Sequence, residues 1–341
     1  MKSLFLFLFF SVCVALAPVH SCQAENISAS EEVSDSKNLD IGEVIFDHVT
    51  DSHSWHFFEG HYGTLFLPVV VYSSDKGLDF FSSSHFVDEN HQPVSYNGYT
   101  LDHNKIYYNN KPVIDISITK NVLMLFITSL ILFLVVLNVS KAYRRNVGKP
   151  PKGFQSAIEL MVLFVKDEIV KPVLGVKHEK YLPYMLTLFF FIFFGNLLGL
   201  LPGAANLTGN IAVTMTLAVF TFIITNFSGN KNYWSHIFWT PGLPFLLRFI
   251  ILPVEIIGIF TKPFALMIRL FAAITAGHIV ILSLVCLTFI FKSWLVGFGS
   301  SLLVVLIMLI ELLVAGIQAY VFTLFSSLYI GYAIENHEDG H

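Results

Sequence analysis

Charge is scarce in this chain. Only 13% of its 341 residues are Asp, Glu, Lys or Arg, about half the share of an ordinary soluble domain. Cysteine is rarer still. Cys13, Cys22 and Cys286 offer no disulfide framework, because two fall in a leader-like start and the third in an apolar run. A net charge of −4 provides no basic surface, so no nucleic-acid partner is expected. There is no HExxH motif, no Ser/His pair and no paired aspartates at a spacing that suits an intramembrane enzyme. The internal repeat that builds many secondary transporters is also missing. What abounds is apolar: 55% hydrophobic residues with 34 phenylalanines, and a mean hydropathy of +0.67. The class is an all-α polytopic membrane protein.

The chain opens MKSLFLFLFFSVCVALAPVHSCQAEN. Lys2, an apolar core from Leu4 to Ala17 and small residues up to Ala24 have the anatomy of a secretory signal peptide over 1–24. A lipoprotein leader modified at Cys22 fits less well, because His20 suits such a site poorly. Residues 25–118 read as a small exported segment: a polar linker, then alternating runs such as GTLFLPVVVYSS and VSYNGYTLDHNKIYY, which predict short strands. Seven of the 13 histidines lie here, among them His53, His56 and His61, but without ligand spacing they read as a solvated face rather than a metal site.

Residues 119–341 read as the membrane domain. A first span from Val122 to Val139 is followed at once by Lys141, Arg144, Arg145, Lys149 and Lys152. Positive charge marks the cytoplasmic side, so this span runs from outside to inside, as a cleaved signal requires. GFQSAIELMVLFVKDEIVKPV carries too many charges to cross and predicts an amphipathic helix on the inner surface. Tyr181 to Leu201 and Ile211 to Phe227 form a hairpin of spans, and SGNKNYWSHIFWTPGLP reads as an interfacial loop carrying Trp234 and Trp239. Leu243 to Phe291 and Trp294 to Ala333 are far longer than the ~20 residues that cross a bilayer upright. Two long tilted helices are expected, giving five crossings with the N-terminal segment outside and ENHEDGH inside.

The polar residues of those two helices carry the chemistry. Arg269 sits in FALMIRLFAAITAGH, and an arginine at the bilayer centre costs roughly 2.5–3.5 kcal/mol on insertion scales. At a rise of ~1.5 Å per residue, His278 lies ~13 Å further along the helix axis, toward the outside, and Glu255 lies toward the inside. Glu311 and Gln318 share a face of the last helix, two turns apart. If Gln318 packs level with Arg269, Glu311 comes level with His278. Each residue has a plainer reading: Arg269 as a clamp on carbonyls, His278 as packing, Gln318 as helix glue, Arg248 and Lys262 as snorkelling cations. Together they form a protonatable pair above a fixed cation, which favours ion handling.

These motifs resemble subunit a of the F-type ATP synthase. The likeness rests on PKGFQSAIELMVLFV, NLLGLLPG, IAVTMTLAV, TKPFALMIRLF and IQAYVFTLFSSLYIGYAIENHE, and covers roughly residues 116 to 338. It implies that Arg269 is the family's essential arginine, Gln318 the glutamine opposite it, and His278 with Glu311 the lining of an inlet half-channel. Glu255 becomes a weaker candidate for the outlet. It further implies a non-catalytic stator subunit in a bacterial inner membrane, partnered by a c-ring, subunit b, other synthase subunits and lipid, with no cofactor. One departure stands out: Ala272 and Ala273 occupy positions where many members carry glycine and asparagine. The competing class is a secondary ion transporter or channel.

Overall fold

The computed structural model of the chain describes residues 51–56, 64–87, 94–102, 105–109, 111–145, 150–201, 204–238, 245–291 and 294–335. The expected signal peptide, the linker after it, His61, Trp239 and nearly all of the ENHEDGH tail lie outside the described residues, as does the Arg248 side chain.

The N-terminal segment is built of short antiparallel strands. β1 (Ser54–His56) pairs with β2 (Thr64–Phe66). β3 (Pro68–Ser73) lies between β4 (Gly77–Ser82) and β8 (Ile114–Asp115), while β5 (Tyr99–Asp102), β6 (Lys105–Tyr108) and β7 (Lys111–Pro112) form a third sheet. Alternation decides which face is buried. Val69 and Val71 of β3 point inward and meet Phe86, Tyr99 and Ile106 in one cluster. The turn into β5 uses Asn97 and Gly98 at φ of 52° and 85°, left-handed values that Asn and Gly adopt most readily. An Asn-Gly turn closed by a single bridge between Tyr96 and Tyr99 therefore leads into the strand.

Among the described residues, five helical stretches are long and apolar enough to cross a membrane. The first, α1 (Lys120–Arg145), starts where the β-segment ends. Asp51 Oδ1 accepts the Asn121 N–H at 3.1 Å, Ser52 O accepts the Lys120 N–H at 2.9 Å, and Trp55 packs with Met124 and Ala205. The amphipathic stretch forms α2 (Phe154–Phe164), a π-helical turn over Val165–Val170, and α3 (Lys171–Leu174). Gly175, at φ 52°, then redirects the chain into α4 (His178–Gly199). A 3-10 turn, Leu207–Gly209, leads to α5 (Ile211–Ser228). Serine and threonine hydroxyls in these spans turn back on their own helices, as when Thr128 donates to the Met124 carbonyl at 2.9 Å; in lipid such groups need an internal acceptor.

The stretch expected as an interfacial loop instead holds α6 (Lys231–Phe238). Its Tyr233 and Ile237 are buried against Ala333, and that tertiary anchor overrides a weakly helical local sequence. The two long helices are as expected: α7 (Phe245–Phe291, 47 residues) and α8 (Trp294–Ile334, 41 residues). At ~1.5 Å per residue α7 is about 70 Å long, more than twice the thickness of a hydrocarbon core, so both helices must tilt. Pro253 and Pro263 lie inside α7 without ending it. Leu266, Met267, Leu270 and Ile274 form its buried face, and Ala315, Ala319, Phe322, Ile330 and Ala333 that of α8. The alanines permit close approach of the backbones where lipid gives helices no hydrophobic reason to associate.

Candidate functional site

Arg269 is exposed on α7, on the flank of the buried stripe that holds Leu266 and Leu270. Ala265, Ala272 and Ala276 are exposed on the same face, so the arginine stands in a shallow strip of small side chains. Its guanidinium sits over the Phe325 ring, 4.3 Å from the centroid, a contact that both apolar and charged parts of the side chain favour.

The register of α7 against α8 follows from two contacts. A Cβ added at Gly277 would lie 3.1 Å from Glu311 Oε1, so the Glu311 side chain occupies the space that this glycine leaves. Further along, Lys262 stacks on the Tyr329 and Tyr332 rings at 5.7 and 5.1 Å. Between these two points the Arg269 backbone is level with the turn that contains Gln318 and Phe322. Gln318 is half-buried there, but the guanidinium reaches past it toward Phe325. Glu311 is 4% exposed, and neither carboxylate oxygen has a hydrogen-bond partner among the described residues. It is level with His278, the residue that follows Gly277.

Two small clefts lie on either side of Arg269 along α7. One lies between α1, the Leu207–Gly209 turn and α7, and is lined by Lys120, Asn121, Ala204, Asn206, Gly209, Thr275 and His278. It faces the β-segment. The other lies between α5, α6, α7 and α8 and is lined by Thr221, Thr225, Asn226, Tyr233, Lys262, Pro263, Leu266 and Tyr329, among others. Along α7 the first cleft touches residues beyond Arg269 and the second touches residues before it. They also open between different helices, so they are offset sideways as well as in depth.

Glu255 belongs to the second region. Its Oε1 is 3.4 Å from His236 Nδ1 of α6. Lys262, expected from the sequence to snorkel to the interface, lies over two tyrosine rings and lines this cleft. The aromatic faces near it provide a partner that an isolated helix lacks.

Other polar residues escape a linear reading. Asn196, in the NLLGLLPG hairpin, is 2% exposed, donates to the Ala315 carbonyl at 3.3 Å and accepts from Thr208 at 2.5 Å. It ties α4 to α8 one turn from Glu311. Tyr184 and Thr221 hydroxyls are hydrogen-bonded at 2.9 Å, and Thr221 meets Ser326 at 3.2 Å, a buried polar chain across α4, α5 and α8. Asn196 was visible as an amide in an apolar helix. Nothing local marks Tyr184, Thr221 and Ser326 as a set, since they lie far apart in sequence. Among the described residues no group of three or more His, Cys, Asp or Glu could hold a metal ion.

The match to known families divides at the same place as the fold. Residues 122–331 match the family described as ATP synthase A chain, and residues 44–122 match a domain of unknown function (DUF8433). ATP synthase subunit a 2 of Chlorobaculum tepidum is 47% identical over 234 residues, 67% of this chain and 66% of the relative. The protein of the same description from Prosthecochloris aestuarii is 48% identical over 233 residues, 66% of this chain and 71% of the relative. That from Chlorobium luteolum is 41% identical over 308 residues, 88% of this chain and 77% of the relative. The chain thus spans about two thirds to three quarters of the length of these relatives. The matched region takes in nearly all of the five apolar stretches, the exposed arginine and both clefts apart from Lys120 and Asn121, and the chain belongs to the ATP synthase A chain family, subunit a of the F-type ATP synthase.

Proposed function

We propose that this chain is the proton-translocating stator subunit of the membrane sector of an F-type ATP synthase, with two offset half-channels that meet at Arg269. It is not itself an enzyme. The observation that carries the reading is the exposure of Arg269 between two small clefts, one lined by α7 residues before it and the other by α7 residues after it. A charge on an outward face within the membrane needs a partner, and a carboxylate on a rotating c-ring supplies one. The strip of alanines around Arg269 suits the close approach of a second helix.

In this reading a proton enters by the cleft beside the β-segment and passes by way of Glu311 and His278 to the ring carboxylate. Burial in lipid favours the neutral carboxyl, and a guanidinium, charged at any relevant pH, favours the ionised form as each carboxyl passes. Arg269 therefore releases the proton to the outlet and bars direct leakage between the clefts. Gln318, level with Arg269, lines the slot. The proton leaves past Lys262, Tyr233 and the Glu255–His236 pair. The driving force is ~2.3 kcal/mol per charge per 100 mV, plus the pH gradient.

The chain is then multi-pass in a bacterial inner membrane, with a signal peptide over 1–24, residues 25–118 outside and the C-terminus in the cytoplasm. The basic cluster after α1 supports that orientation. Its partners are the c-ring, subunit b, the other synthase subunits and lipid. Flux driven by a pH gradient in vesicles holding the assembled complex tests the reading. Arg269→Ala should abolish coupled ATP synthesis while passive proton leakage survives or rises. Coupled synthesis at a normal rate would make the arginine a structural clamp.

A further inference from the structure

Threonines inside the spans mostly turn back on their own helices. Thr216 of α5, Thr261 of α7 and Thr323 of α8 each donate to the carbonyl four residues earlier, at 2.7, 2.8 and 2.8 Å. Thr225 of α5 and Thr275 of α7 depart from that habit. Among the described residues they are the span threonines whose buried hydroxyl oxygen has no hydrogen-bond partner in the protein. Thr225 is only 7% exposed. Each of the two lies at one of the clefts that flank Arg269. Thr275 lines its cleft with Asn121, Asn206 and His278, and Thr225 lines the other with Asn226, Tyr233 and Lys262.

A buried hydroxyl without a partner costs stability, and in lipid the helix carbonyl is its ordinary acceptor. Where that bond is not made, the remaining partner is water, which needs about two to four polar neighbours. Each cleft supplies such neighbours beside its threonine. We infer that Thr275 and Thr225 are water-binding positioning residues for proton transfer, one in each half-channel. A hydroxyl suits this task because it accepts and donates at once. The water it holds can take up a proton on one side and release one on the other, while the threonine keeps its own. Thr275 holds its water beside His278, one turn further along α7, and Thr225 holds its water against the stretch of α7 between Glu255 and Arg269. The inference rests on the two clefts being inlet and outlet, and it adds one residue to each.

The test is ATP synthesis driven by a pH gradient in vesicles of the assembled complex, with the pH varied on each side in turn. Thr275→Val and Thr225→Val keep the shape of the side chain and remove its hydroxyl. Each should slow synthesis about two- to tenfold, the effect of losing one hydrogen bond to the transferring water. Serine at either position should recover most of the rate. The deficits should also separate by side: a lower pH on the inlet side relieves Thr275→Val, which limits uptake, and a higher pH on the outlet side relieves Thr225→Val, which limits release. Because neither hydroxyl bonds to protein, thermal unfolding of the complex should not shift. A normal rate in either valine variant would overturn the inference for that cleft. So would a deficit that serine does not recover, or one accompanied by a lower unfolding temperature, since the threonine would then be a packing residue. Glu311→Gln, measured in parallel, separates the two readings. If it synthesises ATP normally, the inlet assignment itself fails; if it is blocked while both valine variants are normal, only the water-binding role fails.

Discussion

Gly277 gives the sharpest test of the packing around Glu311. The carboxylate fits because position 277 has no side chain: an added Cβ would lie 3.1 Å from Oε1 and 3.2 Å from Cδ. Gly277→Ala therefore pushes a flexible acid by a few tenths of an ångström. Replacing glycine inside a helix gains about 0.8–1 kcal/mol in propensity, while crowding a packed site costs about 1–3 kcal/mol. The net change in stability should stay within about 2 kcal/mol. Transport should suffer more, because proton transfer depends on geometry and a 1 Å misplacement can cost ~10²-fold. We expect a severalfold loss of flux in Gly277→Ala and near-complete loss in Gly277→Leu, which fills the notch. The assay pairs proton flux in reconstituted vesicles with thermal unfolding of the assembled complex in detergent. Normal flux in Gly277→Leu at normal stability would refute the argument, since Glu311 would then work without this seat.

Three further outcomes follow from the geometry. Arg269→Lys keeps a charge but exchanges the planar guanidinium over Phe325 for a compact ammonium; coupled synthesis should fall at least tenfold, and rates near wild type would show that charge alone suffices. Asn196→Ala removes the short acceptor of the buried Thr208 hydroxyl, leaving it only a 3.5 Å contact to Asn206, and the side-chain donor to the Ala315 carbonyl, so the complex should lose about 1–3 kcal/mol of stability in denaturant titration, whereas Asn196→Asp should retain the acceptor for Thr208 but not the donor for Ala315. The third concerns pH. Burial alone would raise the Asp115 carboxyl, but hydrogen bonds from His53 and Ser117 outweigh it and hold it below the ordinary carboxylate value. A depressed folded value contributes stability that is present above the unfolded pKa of about 3.9 and lost as pH falls below it. Protease resistance of the β-segment should therefore hold from pH 7 to 5 and fail below about pH 4, and Asp115→Asn should flatten that profile.

Much of this protein was legible without coordinates, because a bilayer imposes simple rules on a chain. Length and hydropathy alone locate five crossings, since a backbone in lipid must satisfy itself within a helix. An arginine, a histidine and a glutamate inside such runs announce themselves by their cost. The Asn-Gly turn was visible because only a few residues tolerate its φ values. Tertiary structure decided what depends on contacts between distant segments. α6 exists because Ala333, about a hundred residues away, covers its buried face. The register of α7 on α8 rests on a glycine that Glu311 fills, and no periodicity encodes that match. Lys262 became a cleft residue because Tyr329 and Tyr332 on another helix offered their rings. Whether Arg269 faced the protein or the outside was likewise undecided until Leu266, Met267, Leu270 and Ile274 claimed the inner face. Local sequence determines what each segment must bury; only the fold determines what it is buried against.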